Sequence, residues 1–557
     1  MGRYNLLDEA WISVVIDEKG NNKEVSLKEL FKNAHLYKDL AGDTRTQDFA
    51  ILRVILAIIY TVFSRFNNYG EVYQYLEVDK KYRQISNVED EYLEEYTGEL
   101  LETWFNVWNK AQFPSIINEY LEIWRDRFYL FDEKYPFFQV TKEDIEDIID
   151  LNKTSGTVHG KNINRKLSES ANKLALFSYK YNKNNNKEML TESEIIRWLL
   201  TYQGYSGTGD KVKFNSKIKT YSKGWLYDIG GIYLKGNNLF ETLMLNWAIL
   251  YDGNMNGQIQ KPCWEFNSKE NIKRYINGEI VDNIAGLYTA WSRGLYIDSN
   301  YEISEPFSIR VGKLPEIDHK DTFIEPMTIW KYNEKGDYKD SYTPIKHKLN
   351  ESMWRSFGLF TFYNKLNNRV PGIIDWITTI NQINNFPEIN VTLSATSMED
   401  DGNATSWVPT NEIIDNLSIS NYVLTDLKED GWIVRINDAI EMTKNIISVT
   451  YKKYVQSIQK IRNISNNEFV DRKIEDMYHS IDMPFRQWIS NIRLKDNKDN
   501  KILEWKNILE KHVKEQAKND IYYANYRDYI GIEKDGEVFN IASAYNIFNY
   551  YLNLKLK

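Results

Sequence analysis

The sequence predicts an α+β protein in two parts, a large mixed domain over residues 1–410 followed by a C-terminal four-helix bundle over 411–557. Three observations lead there. At 557 residues and 42% hydrophobic content, the chain exceeds what one simple core holds and is long enough for two. Up to about residue 410, short runs of β-formers and Gly- or Pro-bearing turns alternate with capped helices, and no fixed-period repeat is visible. Beyond Asn411 the pattern becomes one of long amphipathic helices.

The first strong element opens at Thr44, where Thr-Arg-Thr-Gln sets a hydroxyl at the N-cap and Gln47 three residues on, as a capping box requires. The apolar run Phe49 to Phe63 that follows is short for a membrane span and carries Arg53, so a buried helix is expected. Trp104 to Trp124 continues with helical spacing, and Phe128 to Val140 reads as short strands or loop around Pro136. Residues 151–166 hold no apolar periodicity and read as a polar loop containing Gly156 and Gly160. A helix from about Thr191 to Gln203 precedes the glycine-bearing stretch Gly204 to Lys211, and Ile309 to Asn350 reads as a β-meander with long turns.

In the last part, Ile447, Tyr451, Tyr454, Ile458 and Ile461 alternate spacings of four and three and share one helical face. Asp482 is expected to cap a helix beginning Met483-Pro484, with Phe485, Ile489 and Ile492 inward. Ile502, Trp505, Leu509 and Val513 repeat the pattern. Asn540 opens the last helix, with Ile541, Tyr545, Phe548 and Leu552 inward.

Composition narrows the function. A net charge of −9 has the wrong sign for independent nucleic-acid binding through a broad basic surface, so any such binding must be local or shared. Basic and acidic side chains balance after about residue 411, which leaves the acidity in the first part. The single Cys263 excludes an internal disulfide and a multi-cysteine zinc site, and the absence of an export-type N-terminus points to a reducing cytoplasm rather than a membrane. Six scattered histidines lack the close pairing of a metal-dependent nuclease or zincin. Gly204-Tyr-Ser-Gly-Thr-Gly209-Asp-Lys211 almost spells a phosphate-binding loop, but Asp210 sets a carboxylate where the lysine is needed. No metal, cofactor or catalytic site is expected.

Several segments, taken together, resemble the CasA family, the large subunit of the type I-E CRISPR Cascade. They are Asn5-Leu-Leu-Asp-Glu-Ala-Trp-Ile, Val25-Ser-Leu-Lys-Glu-Leu-Phe and Gly42-Asp-Thr-Arg-Thr-Gln47-Asp-Phe-Ala-Ile-Leu-Arg53, then Leu199-Leu-Thr-Tyr-Gln-Gly204, Leu239-Phe-Glu-Thr-Leu-Met-Leu-Asn246, Tyr288-Thr-Ala-Trp-Ser-Arg293 and Glu325-Pro-Met-Thr-Ile-Trp330. The resemblance implies a non-catalytic subunit of an antiviral ribonucleoprotein. Its implied partners are the other Cascade subunits, a CRISPR guide RNA, double-stranded target DNA, and a helicase-nuclease recruited after the R-loop forms. It also implies recognition of the protospacer-adjacent motif and help in opening the duplex. Two readings from other classes stay open: a nuclease-bearing large subunit of another CRISPR type, and a scaffold that never touches DNA.

The resemblance also nominates nucleic-acid-binding residues. Thr154, Ser155, Gly156, Thr157, Val158 and His159 fall where the family has a flexible loop near the guide's 5′ handle and the flanking motif. Gly204, Gly207, Thr208 and Gly209 fall at its glycine loop, where bare backbone can lie in a narrow groove. Gly402, Asn403, Ala404 and Thr405 resemble the wedge hairpin, with Asn403 standing where relatives usually carry glutamine. Lys313, with Lys320 as competitor, is the candidate for the family's motif-reading lysine. On the bundle, Lys453 and Lys460 lie opposite their apolar stripe and Arg486 and Arg493 flank theirs, so all four are candidate phosphate contacts.

Overall fold

The protein is described from a computed structural model that covers residues 2–146, 156–163, 188–207, 212–214, 222–254, 256–279, 281–349, 351–361, 368–383, 386–400, 402, 409–534 and 536–557. It divides into two compact units. The first comprises Met1–Leu349, Asn364–Thr379 and Leu393–Asp415, and the second Asn350–Tyr363, Ile380–Thr392 and Asn416–Lys557. Helices and strands are mixed, as the α+β pattern predicts.

The first unit is organised around the helix Arg45–Phe63, in which every residue after Arg45 is buried. The Thr44 side chain accepts from the Gln47 amide at 3.1 Å. The reciprocal bond lands one residue early: Gln47 Oε1 accepts from Asp43 N at 2.9 Å. By length and composition this helix would cross a membrane, but its apolar residues are wholly covered by protein. The helices Glu192–Tyr205 and Ile284–Tyr288 pack against it.

Arg53 explains how a charge survives there. Its guanidinium makes two parallel bonds to Glu325, at 2.8 and 2.6 Å, and lies 3.9 Å from the centre of the Tyr288 ring. Glu325 also accepts from Trp225 Nε1 at 2.7 Å and from Met327 N at 3.1 Å. A buried charge costs several kcal/mol unless paired and hydrogen-bonded, and here both conditions are met. Three of the segments behind the family resemblance, ending at Arg53 and beginning at Tyr288 and Glu325, therefore meet as core.

The second unit is dominated by long helices. Trp432–Asn445 continues through a π-helical stretch, Ile446–Tyr451, into Lys452–Ile461, and Glu468–Ser490, Lys498–Tyr522 and Ile541–Leu556 pack with it. The expected stripe Ile447, Tyr451, Tyr454, Ile458 and Ile461 is fully inward. Phe485, Trp488 and Trp505 form one aromatic cluster with Trp354, the Trp354–Phe485 ring centroids lying 4.4 Å apart and those of Phe485 and Trp505 4.9 Å. Each such ring contributes on the order of 1.5–3 kcal/mol by burial, and truncating Trp505 to alanine should cost about 3–5 kcal/mol.

The expected start at Asp482 is corrected: Glu468–Ser490 runs through Pro484 without a break. Asp482 is no cap. Its carboxylate accepts from Trp354 Nε1 at 2.8 Å and Arg486 Nε at 2.7 Å, and the flanking inward residues Ile481, Phe485 and Ile489 hold the helix together where proline removes one backbone donor.

Candidate nucleic-acid interface

The strand Ser308–Lys313 is the organising element. It pairs antiparallel with Thr157–His159 on one side and Arg293–Tyr296 on the other. Side chains alternate across a strand, so its odd positions face one way and its even positions the other. Ile309, Val311 and Lys313 are buried with Val158, which stands directly opposite Ile309. Ser308 and Arg310 face outward beside the exposed His159 and Thr157, their respective partners. Tyr296 completes that face, with the Arg310 guanidinium 5.8 Å from its ring centre.

Two expectations change here. The sequence predicts a polar loop over residues 151–166, whereas Thr157–His159 is a strand and Val158, 3% exposed, is its anchor. A three-residue strand has no local periodicity; its register comes from residues some 150 positions away. Thr154 and Ser155 lie outside the described residues. Lys313 was expected to meet DNA, yet it has no solvent exposure, because parity places it with Ile309 and Val311. An ammonium so enclosed cannot reach a phosphate. What Lys313 offers is backbone: its N–H donates to Val212 O at 2.8 Å and its carbonyl accepts from Phe214 N at 3.0 Å. The competitor Lys320 is exposed.

The glycine-bearing stretch is followed by Val212 and Phe214, which these backbone bonds place on the same strand. It leaves the helix Glu192–Tyr205, whose start is fixed by a complete Thr191/Glu194 capping box. Gly204 lies so close to Leu226 that a Cβ would stand 2.6 Å from its Cδ1, and Ser206 O accepts from Gly224 N at 2.9 Å. Gly156 lies alongside, where a Cβ would be 3.2 Å from Val212 Cγ2. Thus Gly156 to His159, Gly204 to Gly207 and Val212 to Phe214 converge on one sheet although nearly 60 residues separate their extremes in sequence. Thr208 and Gly209 lie outside the described residues.

The strands Asn390–Asp400 and Pro409–Ser420 flank the candidate wedge. Gly402 is exposed at φ +67°, a conformation that favours glycine, and its N–H is held by Asp400 Oδ1 at 3.0 Å. Asn403, Ala404 and Thr405 lie outside the described residues. Lys346 ties the base of this element inward: its Nζ is 2.9 Å from Asp400, 3.6 Å from Asp228 and 4.4 Å from the Tyr227 ring centre. Lys223, one residue before Gly224, pairs with Asp228 at 2.5 Å. Burial alone would raise the Asp228 carboxyl, but Lys223 and Lys346 hold it below the usual range. Nearby Glu316, desolvated and facing Asp228, is pushed up to about 7.

On the helical unit, Lys453 and Lys460 are exposed and off the apolar stripe. Arg486 and Arg493 differ from expectation. The guanidinium of Arg486 is engaged by Asp482 and the Asn416 carbonyl, and Arg493, just past the helix Glu468–Ser490, donates to the Ser490 and Ile492 carbonyls at 2.8 and 2.9 Å. All three guanidinium nitrogens of Arg486 serve the fold, so its assignment as a phosphate contact is withdrawn, whereas Arg493 commits Nη1. Conversely, the reading of the sequence missed Ser308 and Arg310 as outward-facing residues, although the alternation Ile309, Val311 was the signal that finds them.

Cys263 is buried and its thiol is pushed up to about 12 by burial, which makes it a packing residue and not a nucleophile. Among the described residues, no three His, Cys, Asp or Glu side chains gather as a metal-binding group.

A family model described as CRISPR-associated protein Cse1 matches residues 5–516. A curated relative, CRISPR-associated protein CasA/Cse1 of Thermus thermophilus, is 25% identical over 250 residues, covering 44% of this chain and only 39% of the relative's own length. The crystal structure of Thermobifida fusca Cse1 superposes with a TM-score of 0.77 at 20% identity, covering 100% of this chain and 98% of that one. A chain of a CRISPR RNA-guided surveillance complex superposes at 0.66 with 14% identity, covering 99% of each. At these identities the two structural likenesses are likenesses of fold.

Proposed function

This chain belongs to the Cse1 family of CRISPR-associated proteins, and from that premise we propose that it is the large subunit of a Cascade-type, RNA-guided DNA surveillance complex. Within the complex it meets the motif flanking the target, helps open the duplex as the R-loop starts, and presents a surface that recruits a helicase-nuclease. The observation that carries this reading is the convergence of Gly156 to His159, Gly204 to Gly207 and Val212 to Phe214 on the sheet built around the strand Ser308–Lys313. Close-lying glycines allow a backbone to approach a groove, and the outward Thr157, His159, Ser308 and Arg310 supply hydroxyls, an imidazole and a cation suited to a sugar–phosphate backbone.

The net charge of −9 fits a shared rather than an autonomous interface. In RNA-guided recognition base pairing reads the target, so the protein needs only a local surface for a short flanking motif. The Gly402 turn, braced by Lys346 through Asp400, suits a wedge: an inserted element offsets an unstacking cost of a few kcal/mol per base step with contacts to the opened strands.

The test is assembly. Purified with its neighbouring gene products, the chain should join an RNA-containing particle whose duplex binding depends on the bases beside the target. A particle that forms without this chain and keeps that dependence would overturn the proposal.

A further inference from the structure

Arg293 has no solvent exposure, yet its guanidinium does not sit on a distant element of the core. Nη2 donates to Gly207 O at 2.5 Å and to Ser222 O at 3.0 Å, while Nη1 donates to Ser292 O at 2.8 Å. One side chain therefore ties Gly207, in the glycine-bearing stretch, to Ser222. Arginine suits this place because its planar fork reaches two carbonyls at once, which a lysine ammonium does poorly.

The fork is itself held. Gln203, near the end of the helix leading into the segment, accepts from the Ser292 and Arg293 amides at 2.9 and 3.1 Å and donates to Arg293 O at 2.8 Å. Ser206 and Ser292 share a hydroxyl bond of 2.9 Å, and Ser222 Oγ donates to Leu314 O at 2.8 Å.

A second anchor grips Phe214. Gly294 and Gly312 are direct cross-strand partners, and a Cβ on either would stand 2.6 Å or less from the Phe214 ring. The paired glycines leave a slot in the sheet that this ring fills. With the backbone bonds between Phe214, Val212 and Lys313, the described residues Gly207, Val212 to Phe214 and Ser222 are each held.

We propose that Arg293, acting with the Gly294–Gly312 slot for Phe214, is the positioning clasp of Gly207, fixing its backbone for recognition of the bases that flank the target. This rests on the proposed function of that segment. A backbone presented to a groove contributes little if it must first be ordered, so fixing it beforehand lowers the entropic cost of binding.

The experiment uses the full chain with two substitutions, Arg293→Met and Phe214→Ala, the second removing the ring without disturbing a buried cation. Hydrogen exchange of the free protein should be at least tenfold faster at the Phe214 and Gly224 amides in both. In the assembled complex, the ratio of duplex affinities between a preferred and a scrambled flank should fall at least tenfold, while affinity for an already single-stranded target stays within twofold. If Arg293→Met does not fold, Phe214→Ala decides alone. Unchanged exchange, or faster exchange with an unchanged flank ratio, overturns the clasp. A wild-type complex with no flank preference sinks the proposed function instead, and exchange then still tests whether the clasp exists.

Discussion

Removing one partner of the Arg53–Glu325 pair should be among the most damaging single changes in the first unit. Both side chains are at most 2% exposed, so Glu325→Gln leaves a guanidinium without a counter-ion where water cannot solvate it. An uncompensated buried charge of this kind costs about 3–5 kcal/mol, and Arg53→Met should cost about as much by stranding the carboxylate. Trp225 Nε1 and Met327 N bond to different oxygens of Glu325, so glutamine keeps an acceptor for one of them, and the loss reports the charge together with one missing hydrogen bond. The double variant Arg53→Met/Glu325→Gln leaves neither ion stranded and should cost at least about 2 kcal/mol less than the sum of the singles. Equilibrium urea unfolding followed by tryptophan fluorescence measures all three. Single costs below about 1 kcal/mol, or strict additivity, would refute the reasoning.

Other outcomes follow from the interface and the helical unit. Arg310→Ala should shallow the salt dependence of duplex binding by a log–log slope of about 0.9, one phosphate's worth, while Lys313→Met should lower the melting temperature and leave that slope alone; the reverse pattern would contradict the parity of the strand. Replacing Asn403 and Ala404 with glutamate, leaving Gly402 to its positive φ, should weaken duplex binding far more than binding to a single-stranded target, and equal losses would make the segment a plain turn. Asp528 has no exposure: burial alone would raise its carboxyl, but two Arg462 bonds of 2.8 Å and the Asn525 amide hold it below the usual range. Its folded-state pKa is thus the lower one, so its stabilisation is complete above about pH 4 and is lost as pH falls through the folded-state value. Asp528→Asn should flatten the acid limb of stability in circular dichroism, and an unaltered limb would show that the pair contributes nothing.

The helices were the most legible part of the sequence because their signals are local. Thr44, Thr191 and Asn540 all cap where side chain and spacing say they should, and the stripe from Ile447 to Ile461 lies inward throughout. Pro484 carries a local start signal, but the packing of Ile481 and Phe485 on either side of it carries the helix through. The strand Thr157–His159 was invisible for the opposite reason: three residues carry no period, and only the distant Ile309 gives Val158 its place. Lys313 was misjudged by residue type when alternation with Ile309 and Val311 already pointed inward. The segments that carried the family resemblance, ending at Arg53 and Arg293 or opening at Glu325, proved to hold the scaffold beneath the candidate interface, which explains why motif reading found the family more readily than the contact residues.

The slot in the sheet has a consequence for how this surface can drift. Phe214, Gly294 and Gly312 come from three separate stretches, yet they occupy one volume, and no one of them can grow alone. An alanine at 294 or 312 becomes admissible only after the ring at 214 has shrunk or swung away, and that change first empties the slot. Any path to a different residue trio passes through a loosened intermediate. The same three positions are therefore a natural place to loosen or stiffen the neighbouring glycine backbone by design, without touching Thr157, His159, Ser308 or Arg310.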